Sequence, residues 1–350
     1  MGQKVILPQE RSALPTGLIL AAFQRALDLA ASFAGATSPN PPVGCILLDA
    51  EGCELAAAAH EKAGMAHAEA AAIAKAKANG SYARIHTLVV TLEPCNHTGR
   101  TAPCVEAILE SPAVAVWFGA ADPNRQVTGG GAAALACAGL MVGEIAILGC
   151  PHGEVLARQA RRLIAPFAKH AQTGLPFVTI KQALDAHGSM IPPLGQKTFT
   201  SPDSLDLAHK LRKRADGIIT GSGTILADRP EFTVRRVPDF AAKQRHLVIL
   251  DRSGSVPLDY VAAARARGFL VAIEDSLVSA LTRLGMVGAQ EVLVEAGPTL
   301  TGLVLASGLW DEHLTITSPA RAGEADAISI QHRPTSWLPA ERDADVFRHY

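Results

Sequence analysis

The tripeptide His67-Ala68-Glu69 and the later stretch 91–104, which reads TLEPCNHTGRTAPC and includes Cys95 and Cys104, decide how this sequence is interpreted. One imidazole nitrogen and two thiolates are ligands that zinc takes in proteins, and three protein ligands leave the fourth tetrahedral position open for water. Zinc lowers the pKa of such a water from about 15.7 to about 7. The sequence therefore predicts a catalytic zinc with His67, Cys95 and Cys104 as ligands and Glu69 as the group that transfers protons.

The spacing of the two cysteines is unusual for such a site. A His-x-Glu segment followed by Pro-Cys-x-x-Cys is the signature of zinc-dependent nucleobase deaminases. Here eight residues, 96–103, separate Cys95 from Cys104. A His-x-Glu segment alone is typical of a helix surface, and a cysteine pair alone is typical of core packing. Only their joint occurrence favours a metal. A structural zinc is the alternative, and His97 would then be its fourth ligand.

The length, composition and net charge of the chain restrict the classes of protein to which it can belong. A chain of 350 residues with 48% hydrophobic residues predicts two folded domains of about 100–200 residues each. The net charge of −1 does not indicate nucleic-acid binding. No apolar run reaches the roughly 18 residues of a membrane span, and the first residues lack the pattern of a signal peptide. We expect a cytoplasmic protein whose six cysteines are mostly reduced and free to bind metal.

The first half of the sequence alternates apolar strands with alanine-rich helices, which predicts an α/β sandwich around a largely parallel sheet. The expected helices are 18–33, 68–78 and 131–138, and the expected strands are 43–48, 88–92, 114–118 and 145–148. His67 then begins a helix and Cys95 follows a strand. Residues two apart can converge at the first turn of a helix, and a helix N-terminus helps to hold Cys95 as a thiolate.

A basic, helical-looking connector at 154–171 leads into a second α/β set. The expected strands are 177–181, 217–220, 247–250, 269–273, 292–294 and 314–316, with helices at 204–214 and 277–284 between them. We predict a zinc-dependent domain at 1–150, a helical connector at 151–174 and a second α/β domain at 175–350.

The chain resembles the bifunctional riboflavin-biosynthesis family, in which a diaminohydroxyphosphoribosylaminopyrimidine deaminase is joined to a 5-amino-6-(5-phosphoribosylamino)uracil reductase. In the first half the resemblance rests on residues 37–45, 60–64, 67–69, 91–104 and 122–124, and it includes the wide cysteine spacing. It implies a cytidine-deaminase-like fold, the same three zinc ligands and Glu69 as the proton shuttle. It also implies substrate-binding positions at Asn40, His60, Ala68, His97, Arg100, Asp122 and Asn124. Taken alone, the proline-rich segment around Asn40 is typical of an ordinary turn.

The second half resembles the reductase of that family on residues 181–183, 212, 215–216, 221–224, 227–228, 230, 233–235 and 295–299. The resemblance implies a dihydrofolate-reductase-like fold that binds NADPH through Ala183, Thr224, Asp228, Gly297, Pro298 and Thr299. It implies that Arg212, Phe232, Arg235 and Glu295 face the ribose phosphate. The chain departs from the family at three places. Where the family commonly has Ser-Leu-Asp-Gly, this chain has Asp185-Ala186-His187-Gly188. It also has Thr198 in place of a Trp and Ala296 in place of a Gly.

The resemblance implies a cytoplasmic, multifunctional enzyme of riboflavin biosynthesis that is both a hydrolase and an oxidoreductase. Zinc hydroxide would deaminate 2,5-diamino-6-(5-phosphoribosylamino)pyrimidin-4(3H)-one, and NADPH would then reduce the ribosyl chain to ribityl. We expect a homo-oligomer that acts on a small phosphorylated pyrimidine and on neither nucleic acid nor membranes. Three alternatives remain: a deaminase with a degenerate reductase-like domain, a nucleic-acid deaminase, and a zinc-stabilised binding protein without turnover.

Overall fold

The computed structural model describes residues 13–97, 102–123, 130–192, 195, 198–319 and 324–338. The chain divides into two units: Met1–Phe33 with Pro42–Arg161, and Ala34–Pro41 with Arg162–Tyr350. Each unit is built around one β-sheet with helices between its strands. The α/β class predicted from the sequence is therefore confirmed.

The first unit contains a five-stranded sheet of order β2-β1-β3-β4-β5. Its described helices and strands are α1 (Thr16–Ser32), β1 (Gly44–Leu48), β2 (Glu54–Ala59), α2 (Ala68–Ala78), β3 (Thr87–Val90), α3 (Cys104–Leu109), β4 (Ala115–Phe118), α4 (Gly130–Cys137) and β5 (Met141–Glu144), and α5 (Pro151–Leu163) follows. β1 is antiparallel to both β2 and β3, whereas β3, β4 and β5 are parallel. The predicted largely parallel sheet is thus wrong for the β2–β1–β3 half.

The central strand β1 is fully buried, and α1 packs closely against it. Phe23 and Leu27 of α1 have no exposed surface. The contact requires a glycine, because a Cβ on Gly44 would lie 2.1 Å from the Ala26 carbonyl oxygen. Burial of this helix face and of the adjacent strand fixes the position of β3, which leads into the cysteine segment.

Two local predictions in the first unit are wrong. The apolar run Ile145–Leu148 forms a 3-10 helix, and the edge strand is the preceding segment, Met141–Glu144. A short apolar run has no periodicity that separates a strand from a helical turn. The sequence analysis also missed β2, whose four alanines have low β propensity.

The second unit contains a seven-stranded sheet of order β12-β11-β6-β10-β7-β8-β9. Its helices and strands in the described residues are α6 (Ala165–Thr173), β6 (Phe177–Leu184), α7 (Pro202–Arg214), β7 (Gly217–Gly221), α8 (Ser222–Asp228), β8 (Arg245–Leu250), α9 (Leu258–Ala266), β9 (Phe269–Glu274), α10 (Leu277–Met286), β10 (Glu291–Val294), α11 (Pro298–Ser307), β11 (Glu312–Thr317) and β12 (Ala327–His332). Only the β11–β12 pair is antiparallel among these strands.

The topology of the second unit places three strand ends together. β6, β10 and β7 are neighbours and run parallel, so their carboxyl ends lie at one edge of the sheet. In open α/β sheets this edge is where ligands bind. α8 begins immediately after β7, and α11 begins after the three residues that follow β10, which brings two helix N-termini to the same edge.

No helix in the described part of the chain is long and apolar enough to cross a membrane.

Candidate active sites

In the first unit, His67, Cys95 and Cys104 come together in one cluster. The three potential ligand atoms, one ring nitrogen and two sulfurs, all lie within 4.8 Å of one another. His67 Nδ1 is 3.5 Å from the Cys95 sulfur and 3.3 Å from the Cys104 sulfur. This nitrogen-and-two-sulfur set fits tetrahedral zinc with one position left for a non-protein ligand. It is the one cluster of this kind found in the described residues.

Three element ends position the cluster. His67 is the residue before the first turn of α2, Cys95 lies five residues beyond the end of β3, and Cys104 is the first residue of α3. The backbone N–H of Cys104 donates to the Cys95 sulfur at 3.4 Å. A helix N-terminus that donates to a sulfur favours its thiolate form. The sequence therefore correctly predicted that a helix begins after His67 and that a strand precedes Cys95, although the strand predicted at 88–92 is Thr87–Val90.

The electrostatics of the cluster suit a cation. The pKa of Cys95 is lowered by the neighbouring Cys104 thiol and then by the His67 ring. The pKa of Cys104 is raised by the same pairing and by burial. Thiolates are the form that ligates a metal, so a divalent cation bound here would displace the proton of Cys104.

Glu69 lies in the first turn of α2, next to the cluster, and is only 4% exposed. Burial raises the pKa of its carboxyl group, and the charge on Cys95 raises it further. Glu69 is not one of the three clustered ligand residues. A buried carboxyl at the edge of a candidate metal centre can exchange protons with a ligand held there. Ala68, between His67 and Glu69, is fully buried.

The other residues predicted for this site have different surroundings. His60 is buried at the end of β2, with its ring 5.4 Å from that of His67. Its Nδ1 lies 3.1 Å from the Ala66 carbonyl oxygen, and burial lowers its pKa. His97 is exposed. Asn40 lies in Ala34–Pro41, which belongs to the second unit. Arg100 and Asn124 lie outside the described residues.

Glu93, which the sequence analysis did not select, connects two segments near the cluster. This buried carboxylate accepts the backbone N–H of Asp122 at 3.2 Å and that of Ala132 at 3.0 Å. Gly131 approaches so closely that a Cβ there would lie 1.8 Å from the Pro94 carbonyl oxygen. Asp122 is thereby attached to the segment that carries Cys95.

In the second unit, a buried ion-pair cluster forms around Glu295, just beyond β10. Arg212 donates two hydrogen bonds to the Glu295 carboxylate, at 2.7 and 2.8 Å. Lys181 Nζ lies 3.2 Å from the same carboxylate. Burial alone would raise the pKa of Glu295, but the Arg212 and Lys181 charges lower it to about 2. The sequence analysis selected Arg212 and Glu295 but missed Lys181.

Phe232 and Arg235 lie in the segment that faces this cluster. Phe232 is buried, and its ring centroid is 5.9 Å from the Arg212 guanidinium carbon. The guanidinium group of Arg235 is more than half exposed. The backbone N–H of Arg235 donates to Nδ1 of His209 at 3.0 Å. His209, a buried residue of α7, was also missed by the sequence analysis.

The residues predicted to bind the cofactor gather at the carboxyl edge of the second sheet. The backbone N–H of Gly297 donates to the Thr224 hydroxyl at 2.9 Å, which joins the starts of α8 and α11. Pro298 and Thr299 are exposed in the first turn of α11, and Asp228 is exposed at the end of α8. Ala183 lies near the end of β6, half-buried. Two helix N-termini and an open edge fit the phosphates of a dinucleotide.

The positions that depart from the family pattern are accommodated locally. The Asp185 side chain accepts the backbone N–H groups of His187 and Ser189, both at 2.8 Å, and so closes the turn after β6. The Thr198 hydroxyl accepts the backbone N–H of Thr200 at 3.2 Å. Ala296 packs against the apolar cluster on one face of the sheet. Each replacement therefore has its own local contacts.

Comparison with known families assigns both halves. Residues 19–120 match the family described as the cytidine and deoxycytidylate deaminase zinc-binding region. Residues 176–337 match the RibD C-terminal domain. The zinc-binding match includes the whole His67, Cys95 and Cys104 cluster. The reductase match includes the Glu295 cluster and the carboxyl edge described above.

Whole-chain similarities agree with these matches. The riboflavin biosynthesis protein RibD of Mycobacterium tuberculosis is 36% identical over 83% of this chain and 81% of its own length. That of Escherichia coli K12 is 31% identical, over 85% and 87%. The structure of Acinetobacter baumannii RibD superposes with a TM-score of 0.73 at 28% identity, covering 89% of this chain and 90% of that one.

A Thermotoga maritima structure, described as a diaminohydroxyphosphoribosylaminopyrimidine deaminase/5-amino-6-(5-phosphoribosylamino)uracil reductase, gives a TM-score of 0.75 at 27% identity, over 89% of each chain. The fold implied by the sequence resemblance and the role in riboflavin biosynthesis, with a deaminase and a reductase domain, are therefore confirmed. The alternative of a degenerate second domain is not favoured, because the reductase half matches as fully as the deaminase half. This chain belongs to the RibD family of riboflavin-biosynthesis proteins, with a zinc-binding deaminase domain and a reductase domain.

Proposed function

We propose that the first unit deaminates the phosphoribosylaminopyrimidine named for the Thermotoga relative, at the amino-bearing C2 of its ring, and that the second unit reduces the ribosyl chain of the product with NADPH. The observation that carries this proposal is the His67, Cys95 and Cys104 cluster beside the buried carboxyl of Glu69. A nitrogen-and-two-sulfur donor set with an adjacent proton-transfer group is what hydrolytic deamination of a nucleobase requires.

At the first site, His67, Cys95 and Cys104 would hold zinc, which when bound supplies activation of a water molecule at neutral pH. Glu69 takes a proton on a carboxylate oxygen and returns protons to the ring and to the departing amino group. His60 packs its ring against that of His67 and so restricts the orientation of the His67 imidazole. Asn40, Ala68, His97, Arg100, Asp122 and Asn124 are the proposed substrate-binding positions.

At the second site, Arg212, Phe232, Arg235 and Glu295 would surround the ribose phosphate, and Ala183, Thr224, Asp228, Gly297, Pro298 and Thr299 would contact the cofactor. NADPH supplies hydride when bound. The N-terminal turns of α8 and α11 would hold its phosphates, and the hydrogen bond between Gly297 and Thr224 joins those two turns. Arginine suits phosphate because its planar guanidinium donates two parallel hydrogen bonds.

Two separate assays test the proposal. Ammonia release with the diaminopyrimidine substrate reports on the first site, and loss of nicotinamide absorbance with the deaminated product reports on the second. We expect both activities in the full chain. Ammonia release without reduction would contradict the bifunctional proposal, and activity on RNA in place of the pyrimidine would replace the proposed substrate.

We expect the reductase to use NADPH rather than NADH, with kcat/KM at least about tenfold higher. One charge-assisted hydrogen bond to the additional 2′-phosphate contributes about 1.5–3 kcal/mol, and about 1.4 kcal/mol corresponds to tenfold. Steady-state rates with each nucleotide at a fixed concentration of deaminated substrate measure the ratio. Equal rates would contradict NADPH as the cofactor while leaving the reductase activity intact.

Glu93→Gln should raise the KM for deamination about tenfold and leave zinc content unchanged. The carboxamide keeps one acceptor oxygen but turns an N–H group toward the backbone N–H of Asp122 or Ala132, and an unmade buried hydrogen bond costs about 1–3 kcal/mol. Deamination kinetics and metal analysis provide the measurements. Glu110→Gln, at an exposed position, is the matched control. An unchanged KM in Glu93→Gln would show that the Asp122 segment does not contribute to substrate binding.

The homo-oligomeric state, the absence of nucleic-acid binding and the cytoplasmic location stay predictions.

A further inference from the structure

His209 is a buried histidine in the second unit with no role in the proposed chemistry. It lies in α7, three residues before Arg212, and is 3% exposed. Residues three apart in a helix lie on the same face. The charged groups that act on His209 are Arg212 of the same helix, Arg235 and Arg236 of the segment between α8 and β8, and Glu295 beyond β10. Three of these four residues, Arg212, Arg235 and Glu295, are ones proposed to surround the phosphate, and the Arg235 backbone contacts the ring directly.

The imidazole acts as a hydrogen-bond acceptor. The backbone N–H of Arg235 donates to Nδ1 at 3.0 Å, and only an unprotonated ring nitrogen can accept. Burial, then the charges of Arg212 and Arg235, lower the pKa of His209 to about 4. The ring is consequently neutral at pH 7 and carries its proton on Nε2.

The segment that His209 contacts requires an anchor. Phe232 has φ of 55°, a left-handed conformation that is an outlier for a bulky side chain and costs of the order of 1–3 kcal/mol. Such a conformation persists only where surrounding contacts enforce it. Phe232 is buried, and two contacts hold the residues that follow it: the Arg235 N–H donates to His209, and Arg212 Nη1 donates to the Thr233 carbonyl oxygen at 3.4 Å.

The same contacts bring two guanidinium groups to one residue. Arg212 donates to the carbonyl oxygen of Thr233, and Arg235 Nη1 donates to the hydroxyl of Thr233 at 3.2 Å. Arg212 is held by Glu295, whereas the Arg235 side chain is mostly exposed and contacts only its own segment in the described structure. The direction in which Arg235 points therefore depends on how its backbone is held.

We propose that His209 is a positioning residue of the reductase, which holds the Arg235 backbone through Nδ1 so that Arg235 and Arg212 receive the substrate phosphate together. The inference rests on the proposed function, because it assigns the phosphate to these arginines. His209 does not contact the substrate. Its effect should be confined to binding, since the phosphate is remote from the carbon that receives hydride.

Two near-isosteric variants test whether reductase binding depends on a hydrogen-bond acceptor at the position of His209 Nδ1. In His209→Asn the side-chain oxygen can occupy the place of Nδ1, whereas in His209→Gln the polar atoms extend toward the place of Nε2. We expect His209→Gln to raise the reductase KM about tenfold with kcat within about twofold, and His209→Asn to stay within about threefold of wild type, as a single lost hydrogen bond allows. With substrate that lacks the phosphate, the three proteins should have equal KM values.

Binding of inorganic phosphate, measured by isothermal titration calorimetry on the full chain, provides a second readout. We expect it to weaken in His209→Gln and to be retained in His209→Asn. If wild type lacks reductase turnover, the proposed function fails, and the phosphate titration still tests His209. If wild type turns over and the two variants are indistinguishable in KM and in phosphate binding, the inference about His209 fails.

A measurement on the wild-type protein tests the proposal even where the variants do not fold. The ¹⁵N chemical shifts of the His209 ring at pH 7 should identify an unprotonated, hydrogen-bonded Nδ1 and a protonated Nε2. The opposite tautomer, or a charged ring, would overturn the proposal because neither can accept the Arg235 N–H.

Discussion

Glu69→Gln is expected to lower kcat for ammonia release about 10²- to 10⁴-fold, the range that a positioned general acid–base group contributes. The carboxamide fills the same volume but cannot take the proton. Zinc content should stay at the wild-type level, because Glu69 is not among the three clustered ligand residues. Reduction of separately supplied deaminated substrate should also be unchanged, because the residues proposed for that step lie in the second unit.

Loss of folding does not account for such a result. Glu69 is almost fully buried, and burial of a carboxyl group is costlier than burial of a neutral amide. The melting temperature of Glu69→Gln should therefore equal or exceed that of wild type. Glu106→Gln changes an exposed carboxylate in the first turn of α3, beside Cys104, and should retain full activity. Ammonia assays, metal analysis and thermal melts test whether Glu69→Gln loses activity while it keeps its zinc and its fold. Retention of more than about a tenth of the wild-type rate would rule out Glu69 as the proton-transfer group.

The proximity of the three candidate ligands was predictable because the information is local. His67 immediately precedes α2 and Glu69 lies in its first turn, and Cys95 and Cys104 are nine positions apart in the sequence, after β3 and at the start of α3. Residue type and spacing suffice when a chemical requirement, three soft or borderline ligands for zinc, has few alternative explanations. The interpretation of that cluster as a deaminase site depended on Glu69, which belongs to the same motif.

Glu93, Lys181 and His209 were not selected from the sequence, because their partners are distant along the chain. Glu93 accepts from residues 29 and 39 positions away, and His209 accepts from a residue 26 positions away. Lys181 meets Glu295 because β6 and β10 are neighbours in the sheet. A lone buried histidine or glutamate is indistinguishable from a surface residue until the fold brings its partner to it. Only Lys181 had a usable signal, its position on a predicted strand otherwise rich in apolar residues.

The errors in secondary structure have a related cause. β2 contains four alanines, which carry little β propensity, and it forms because β1 provides a complete antiparallel partner. The segment Ile145–Leu148 has the composition of a buried strand, yet the position beside β4 is occupied by Met141–Glu144. In both cases sheet pairing, which is non-local, outweighs the local preference of the residues.

The second site differs from the first in how charge is arranged. The first site gathers atoms that would bind a cation, whereas Arg212 and Lys181 are both neutralised in part by one carboxylate, Glu295. A buried carboxylate between two cations keeps them in place without cancelling both charges. The residual positive charge suits a phosphorylated substrate. We therefore expect Glu295 to contribute both to the stability of the second unit and to the binding of its substrate.

Glu295→Gln is expected to destabilise the second unit by about 3–5 kcal/mol, because removal of one member of a buried ion-pair network leaves uncompensated charge. The carboxamide can accept one hydrogen bond from Arg212, but it provides no negative charge to Arg212 or Lys181, whose side chains are 14% and 19% exposed. For a unit of this size the melting temperature should fall by about 6–20 °C. Reductase activity should be lost, and ammonia release should persist below the new transition. Asp259→Asn, which breaks an exposed ion pair with Arg229, should change stability by less than about 0.5 kcal/mol.

The pH dependence of the stability difference between wild type and Glu295→Gln identifies its cause. The pKa of Glu295 lies below its ordinary value of 4.5, at about 2 in the folded protein. A carboxyl group whose folded pKa is depressed contributes stability that is fully present above the unfolded pKa and is lost as the pH falls toward the folded pKa. The stability gap between wild type and Glu295→Gln, measured by urea unfolding, should therefore be constant above about pH 5 and should narrow as the pH is lowered from 4.5 toward 2. A gap that does not change over this range would mean that the variant disturbs packing rather than charge, because only the ionised carboxylate compensates Arg212 and Lys181.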